Sequence, residues 1–503
     1  MAVVIDGESL IIEQVVAVAR DFAEVTLALP ARFEQARRLV EEKAASPEPV
    51  YGINTGFGEL ATVRIPAAHV AELQRNLLMS HSAAVGEPVP TEVSRAMLLL
   101  RLNALAKGYS GVRRAVVDLL AAMLNRRVHP IIPSRGSVGA SGDLAPLAHL
   151  ASVLIGLGEA EVQGERLPGA EALGRAGLTP LALGAKEGLA LINGTQMMAA
   201  YGALALHDAA LLVDAAEIAC ALSIDALKGS IRPMDPRLHA VRPHPGQAES
   251  AAHIRSLLEG SPIVASHQTG DCPLVQDPYS LRCAPQVLGA VRDALAFARG
   301  TVEREINSAT DNPLCFPDSG EVISGGNFHG QPLALALDVA KLAITQLGNM
   351  SERRSYRLLD GAHSGLPPFL AEEPGIDSGY MVAQYAAASL CSENQTLAVP
   401  ASLHSIPTSA GMEDFNSMGA TAAIHLRKVV ENAAWIVAVE MLCASQGVEQ
   451  HRPLTSTPRL EATIARIRQT VPRLGADRPI SGEIDAVAAM IRSGELSSPL
   501  PRL

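Results

Sequence analysis

The sequence predicts a mainly α fold, a bundle of long antiparallel helices with a smaller loop-rich N-terminal region, on three observations. Hydrophobic residues make up 48% of the 503, but aromatics only 3%, with a single tryptophan, Trp435. A core of Ala, Leu, Val and Ile suits close-packed helices better than an aromatic-rich β-sandwich. Beyond residue 195, apolar residues recur at helical spacing over stretches longer than an ordinary globular helix. Loops rich in Gly, Asn and Pro separate them, at 192–194, 276–279, 311–313 and 325–330.

In chain order, the start reads as a strand followed by an amphipathic helix. Asp6, Glu8 and Glu13 stand where a signal peptide would need Lys or Arg and an unbroken apolar run. Two helical patterns fill the first 50 or so residues and end at Ser46-Pro47-Glu48-Pro49. The Gly-rich stretch 51–58 cannot be a regular helix. Helical spacing resumes over roughly 67–127, until Pro130 and Pro133 introduce a small-residue segment, 134–143. Long helices are expected near 196–228, 284–309, 331–357, 379–397, 417–446 and 457–472. The chain accordingly divides into 1–200, with a mobile tyrosine loop and the 134–143 segment, and 201–503, the long-helix bundle.

Lys and Arg number 41 against 52 Asp and Glu, a net charge of −11, which gives no basic field for nucleic acid. The most apolar stretch, 209–227, is cut by Asp214, Glu217 and Asp225 and is too polar to span a bilayer. Six scattered cysteines form no CxxC pair, which fits reduced cytoplasmic thiols and argues against a structural metal site. The expected partner is a small molecule, with neither nucleic acid nor membrane.

The segment Gly136-Ser137-Val138-Gly139-Ala140-Ser141-Gly142-Asp143-Leu144 admits three readings. One is a plain turn in which Asp143 or Ser141 caps a helix starting near Leu144. A phosphate loop is a poor second, since no Val/Ile-rich strand precedes the glycines and no Lys-Ser/Thr follows. The third is chemical. Attack of the Gly142 nitrogen on the Ala140 carbonyl carbon, with loss of two waters, would turn Ser141 into a dehydroalanine inside a five-membered imidazolinone. Gly at the third position leaves that nitrogen unhindered, and Ala at the first keeps crowding low.

The whole segment 136–150 resembles the signature of the aromatic amino acid ammonia-lyases and aminomutases that use this 4-methylidene-imidazol-5-one (MIO) group. The resemblance recurs in order at 51–58, 76–88, 191–196, 275–289, 308–313, 325–332, 378–384 and 405–419. It implies a fumarase/aspartase-like helical fold, an MIO made from Ala140, Ser141 and Gly142, and no external cofactor or metal. A homotetramer with sites shared between chains is implied too.

By the same resemblance, Tyr51 takes the β-proton and Tyr279 supports the amine or the MIO oxygen. Glu413 acts beside them. Arg282 binds the substrate carboxylate through its fork of donors. Asn193, Gln276 and Asn312 supply amide hydrogen bonds, and Phe328 lies near the ring. Alone, each has a plainer reading: a buried loop tyrosine, a surface ion pair, turn-forming asparagines.

The residues at 80 and 81 track the substrate side chain across the family, and Ser80-His81 here follows the histidine branch. His81 could hydrogen-bond an imidazole, whereas a phenyl ring would leave it unpaired. Glu413 points the same way. The implied reaction is loss of ammonia from L-histidine to give trans-urocanate. Met412, Phe415 and Asn416 depart from that branch, as does Gln395, which keeps a tyrosine or phenylalanine lyase or a 2,3-aminomutase as the alternative. An acid–base lyase without MIO would need a GSxxMPxKxN loop, which is not found here, and a non-enzymatic scaffold leaves the polar loops unexplained.

Overall fold

The computed structural model describes residues 2–56, 64–266 and 275–497, and the chain is mainly helical. Two compact units emerge. Unit 1 comprises Met1–His207, Ala298–Asp338 and Pro400–Ile424; unit 2 comprises Asp208–Phe297, Val339–Val399 and His425–Leu503. Both units are discontinuous in sequence, unit 1 taking in 298–338 and 400–424 besides its N-terminal stretch.

The expected long helices are Gln196–Ala226, Ala284–Glu305, Gln331–Leu359, Met381–Leu397, Gly419–Glu449 and Pro458–Arg468. The last stops short of the expected 472, because Pro472 disfavours helical backbone in the residue before it. Its start carries Pro at the first turn, and the Thr457 side chain accepts from Leu460 N at 3.4 Å.

Unit 1 opens with a parallel pair, Val3–Ile5 on Val25–Leu27, joined by the helix Ile12–Arg20 and followed by the helix Ala31–Ala45. At its centre is the helix Thr91–Ala106, buried at every position from Val93 to Ala106. A helix buried all round must satisfy its polar residues internally. Three of them take carbonyls at the ends of other helices, the groups a helix cannot satisfy itself, while Ser94 donates to Pro130 O in a strand. Arg95 donates to Val18 O and Leu124 O, Arg101 to Ala190 O, and Asn103 to Ile306 O.

Unit 2 packs Ala, Leu, Val and Ile around buried ion networks. Arg354 pairs with Glu440, which also accepts from Ser223. Arg292 joins Asp214 to Glu217, and Glu217 meets His253 at 2.6 Å. Cys220, Cys283, Cys315, Cys391 and Cys443 are free, while Cys272, Phe57 and Gly58 lie outside the described residues. Among the described residues no helix is long and apolar enough to cross a membrane.

Candidate active site

The segment 136–143 is folded tightly against the turn at Asn193-Gly194. Gly139 and Gly142 have φ of +68° and +76°, and Gly142 bridges to Gly194 in parallel register. A Cβ on Gly142 would overlap the Gly194 carbonyl, so space and backbone conformation both demand glycine. From the other side, Met418 N donates to Val138 O at 2.9 Å and Ser417 Oγ to Gly139 O at 3.1 Å.

Asp143 does not cap its own helix, Leu144–Leu154, through its side chain, contrary to the plain-turn reading. Its fully buried carboxylate instead accepts from Met197 N (2.8 Å) and Met198 N (3.0 Å), at the start of Gln196–Ala226, and from Ser137 Oγ (2.7 Å). The helix start offers unpaired N–H groups and a favourable dipole. Burial nevertheless wins over these bonds and over Arg101, and pushes Asp143 up to about 6.

Ser141, Tyr51, His81, Asn193 and Glu413 line one cavity of about 400 Å³, with Leu77 and Leu189 as part of its apolar wall. Ser141 Oγ donates to Glu413 Oε1 at 2.7 Å, and Thr408 Oγ1 donates to Glu413 Oε2 at 2.6 Å. Asn193 Nδ2 lies 3.4 Å from Ser141 O, and its buried Oδ1 has no partner. Ser409 and Ala410, also in the lining, hold φ of +52° and +51°. Two non-glycine residues in that region store strain, and such strain concentrates at functional sites.

His81 ends the helix Val70–His81. Its Nδ1 lies 3.0 Å from Leu77 O. A carbonyl can only accept, so Nδ1 carries the hydrogen and Nε2 is left as an acceptor. Burial holds the ring below its usual pKa, while the Leu77 bond and the Glu413 charge oppose that shift. At neutral pH the imidazole is therefore neutral.

The remaining sequence-derived residues lie outside the lining of this cavity. Asn312 is buried with its amide engaged, Oδ1 accepting from Gly325 N (2.7 Å) and Nδ2 facing Ser324 Oγ (3.2 Å). Phe328 is half-buried. Tyr279 and Arg282 share the short helix Tyr279–Arg282 in unit 2, with the guanidinium 4.5 Å from the ring centroid, as expected for residues three apart on one turn. Tyr279 is 68% exposed and Gln276 is exposed, while the buried Arg282 Nε has no partner.

Sequence reasoning missed Thr408, although its bond to Glu413 spans only five residues, and it missed the bonds of Asp143 to Met197 N and Met198 N, which only long-range folding reveals. It also missed Arg101, although an arginine in the run Leu98-Leu99-Leu100-Arg101-Leu102 was a visible signal.

A family model described as aromatic amino acid lyase matches residues 10–469. The histidine ammonia-lyase of Anaeromyxobacter sp. (strain K) is 54% identical over 502 residues, covering 98% of this chain and 99% of the relative. Among solved structures, histidine ammonia-lyase from Trypanosoma cruzi superposes with a TM-score of 0.92 at 42% identity, over 99% of this chain and 94% of that one. Tyrosine aminomutase from Streptomyces globisporus gives 0.93 at 41% identity, over 99% and 98%.

Proposed function

The chain belongs to the aromatic amino acid lyase family, and from that premise we propose that it eliminates ammonia from L-histidine to give trans-urocanate. The observation that carries this reading is one cavity combining Ser141, the neutral His81 and Glu413. The relatives at 54% identity are named histidine ammonia-lyases, which supports the same substrate.

Ala140, Ser141 and Gly142 fit an MIO group. Gly142 sits where no Cβ can be housed, and the Asn193 side chain faces Ser141 with an unpartnered buried oxygen. When formed, that group supplies a carbon electrophile that takes up the substrate amine and makes ammonia a better leaving group.

The chain's own side chains do the rest. His81 Nε2 accepts from the substrate imidazole N–H, and a phenyl ring there would leave it unsatisfied. Glu413, held by Thr408, presents a carboxylate to the imidazole or the departing amine. Tyr51 takes the β-proton, which needs surroundings that favour its anion. The exposed Gln276 and Tyr279 and the unpartnered Arg282 Nε fit residues that complete sites in a homotetramer, where Arg282 holds the substrate carboxylate. Asn312 and Phe328 act from the loops 311–313 and 325–330, one as an amide donor and the other beside the ring.

The test is an absorbance assay with L-histidine, L-tyrosine and L-phenylalanine side by side, without added metal or nucleotide. Preference for L-histidine with urocanate as product supports the reading. Preference for either other amino acid would replace it, and a β-amino acid product would identify a mutase. That second reading draws on Met412 and Phe415, both exposed and apolar beside Glu413.

A further inference from the structure

Arg101 is 0% exposed, and every hydrogen bond it makes goes to a neutral acceptor. Nη1 donates to Ala190 O at 2.8 Å, and Nη2 to Asn193 O at 2.9 Å and to Gln196 Oε1. Its Nε has no partner at all. A buried cation without a direct counter-ion is costly. What it gathers for that cost is the backbone from 190 to 196, which joins the helix Glu187–Ile192 to Gln196–Ala226.

Gly194 lies inside this knot. A Cβ there would overlap the Arg101 guanidinium and press on Gln196 Oε1 and Thr310 Oγ1. Gln196 Nε2 in turn donates to Thr310 Oγ1 at 2.9 Å. The Gly194 carbonyl is the surface on which Gly142 is folded, and it accepts from Asp143 N at 2.7 Å. We propose that Arg101 is a positioning residue that holds the 190–196 turn as the template for cyclisation of Ala140-Ser141-Gly142. This rests on the MIO reading above.

Cyclisation joins the Gly142 nitrogen to the Ala140 carbonyl carbon. The carbonyl oxygen leaves as one water with the amide protons of Gly142 and Ser141, which leaves a C=N bond between the Ala140 carbon and the Ser141 nitrogen. The Ser141 hydroxyl leaves with its α-proton as a second water, with no oxidant required. Such a closure depends on a near-attack geometry, in which a misplacement of about 1 Å costs about 100-fold.

The test uses the full chain carrying Arg101→Lys or Arg101→Met, with circular dichroism and melting as controls for folding. Peptide mass spectrometry reads the fraction of the 140–142 segment lacking two waters, and kinetics are scaled to that fraction. The expected result is a folded Arg101→Lys protein dehydrated in under about half of its chains. Its kcat per dehydrated site and its KM should stay within about twofold of wild type, because the turn serves ring closure. Complete dehydration of the folded variants would overturn the proposal, whatever their kcat per site. If Arg101→Met does not fold, Gln196→Met removes one acceptor and carries the same readout. Active wild-type protein with an intact Ser141 would remove the MIO reading itself, whereas full dehydration in wild type and variants alike would remove only the role of Arg101.

Discussion

Both units bury directly paired charges, Lys186 with Asp311 in unit 1 among them, but unit 1 also buries charges that have no direct ionic partner. In unit 2, Arg354 and Glu440 are both 0% exposed and face each other directly. Burial opposes the guanidinium, yet the Glu440 charge prevails and Arg354 sits above its ordinary pKa. Arg292 fills the space between Asp214 and Glu217 in the same way, so that acidic group with His253 is an ion network rather than a vacant metal site. In unit 1, Arg101 and Asp143 instead bond to carbonyls, amides and a hydroxyl. Burial takes Arg101 down to about 10, with Asp311 and Asp143 acting only through space. Paired charges hold helices together. Unpaired ones are costly, and here they hold the backbone turn against which Gly142 is folded.

The sharpest way to separate the two regions is Ser141→Ala. Turnover should fall at least ~10⁴-fold, above ~5 kcal/mol of transition-state stabilisation, while the melting curve stays that of wild type. Residual activity near the wild-type level would mean the segment 140–142 is no electrophile.

Glu440→Gln probes the other side. It leaves Arg354 buried and uncompensated, which should cost about 3–5 kcal/mol in urea unfolding while activity per folded molecule stays the same. An unchanged unfolding midpoint would show that this pair contributes nothing to the bundle.

Selectivity tests the cavity itself. His81→Leu removes the acceptor for imidazole and should lower the L-histidine to L-phenylalanine ratio at least about tenfold, or about 1.4 kcal/mol. A ratio that stays put would take His81 out of substrate recognition.

The smallest effects are in pH dependence. Burial first, then Arg95 and Arg127, holds His129 down at about 4 against an ordinary 6.5. Its stabilising contribution is therefore complete above 6.5 and is lost as pH falls toward 4. Asp143 runs the other way. Raised from 3.8 to about 6, it contributes stability below 3.8 that is lost as pH rises through 6. Unfolding midpoints measured from pH 7 to 4 should thus fall less steeply in His129→Gln and more steeply in Asp143→Asn. Parallel curves would show that neither group titrates as its surroundings dictate.

Much of the fold was legible because the long helices advertise themselves. Gln196–Ala226 and Gly419–Glu449 each run 31 residues, long enough for periodicity to stand clear of local noise. Pro245–Leu258 and Ser481–Arg492, at 14 and 12 residues, were not marked although the 11-residue Pro458–Arg468 was, so among short helices length alone did not decide which were legible. The motifs marked Ser141, His81 and Glu413, which the cavity brings together. The plain-turn reading offered Asp143 as a cap, but besides the nearby Ser137 its partners are Met197 and Met198, more than 50 residues away, which local sequence does not report.

The central helix Thr91–Ala106 bears on how unit 1 comes apart. Its polar side chains close the ends of neighbouring helices, so none of those ends can fray without breaking a bond to the same rod. Local opening is thereby tied to opening of the rod, and the amides of 93–106 should exchange with solvent only when the whole unit unfolds. Heat would then extinguish the site in a single cooperative step, with no partly melted form that still turns over substrate.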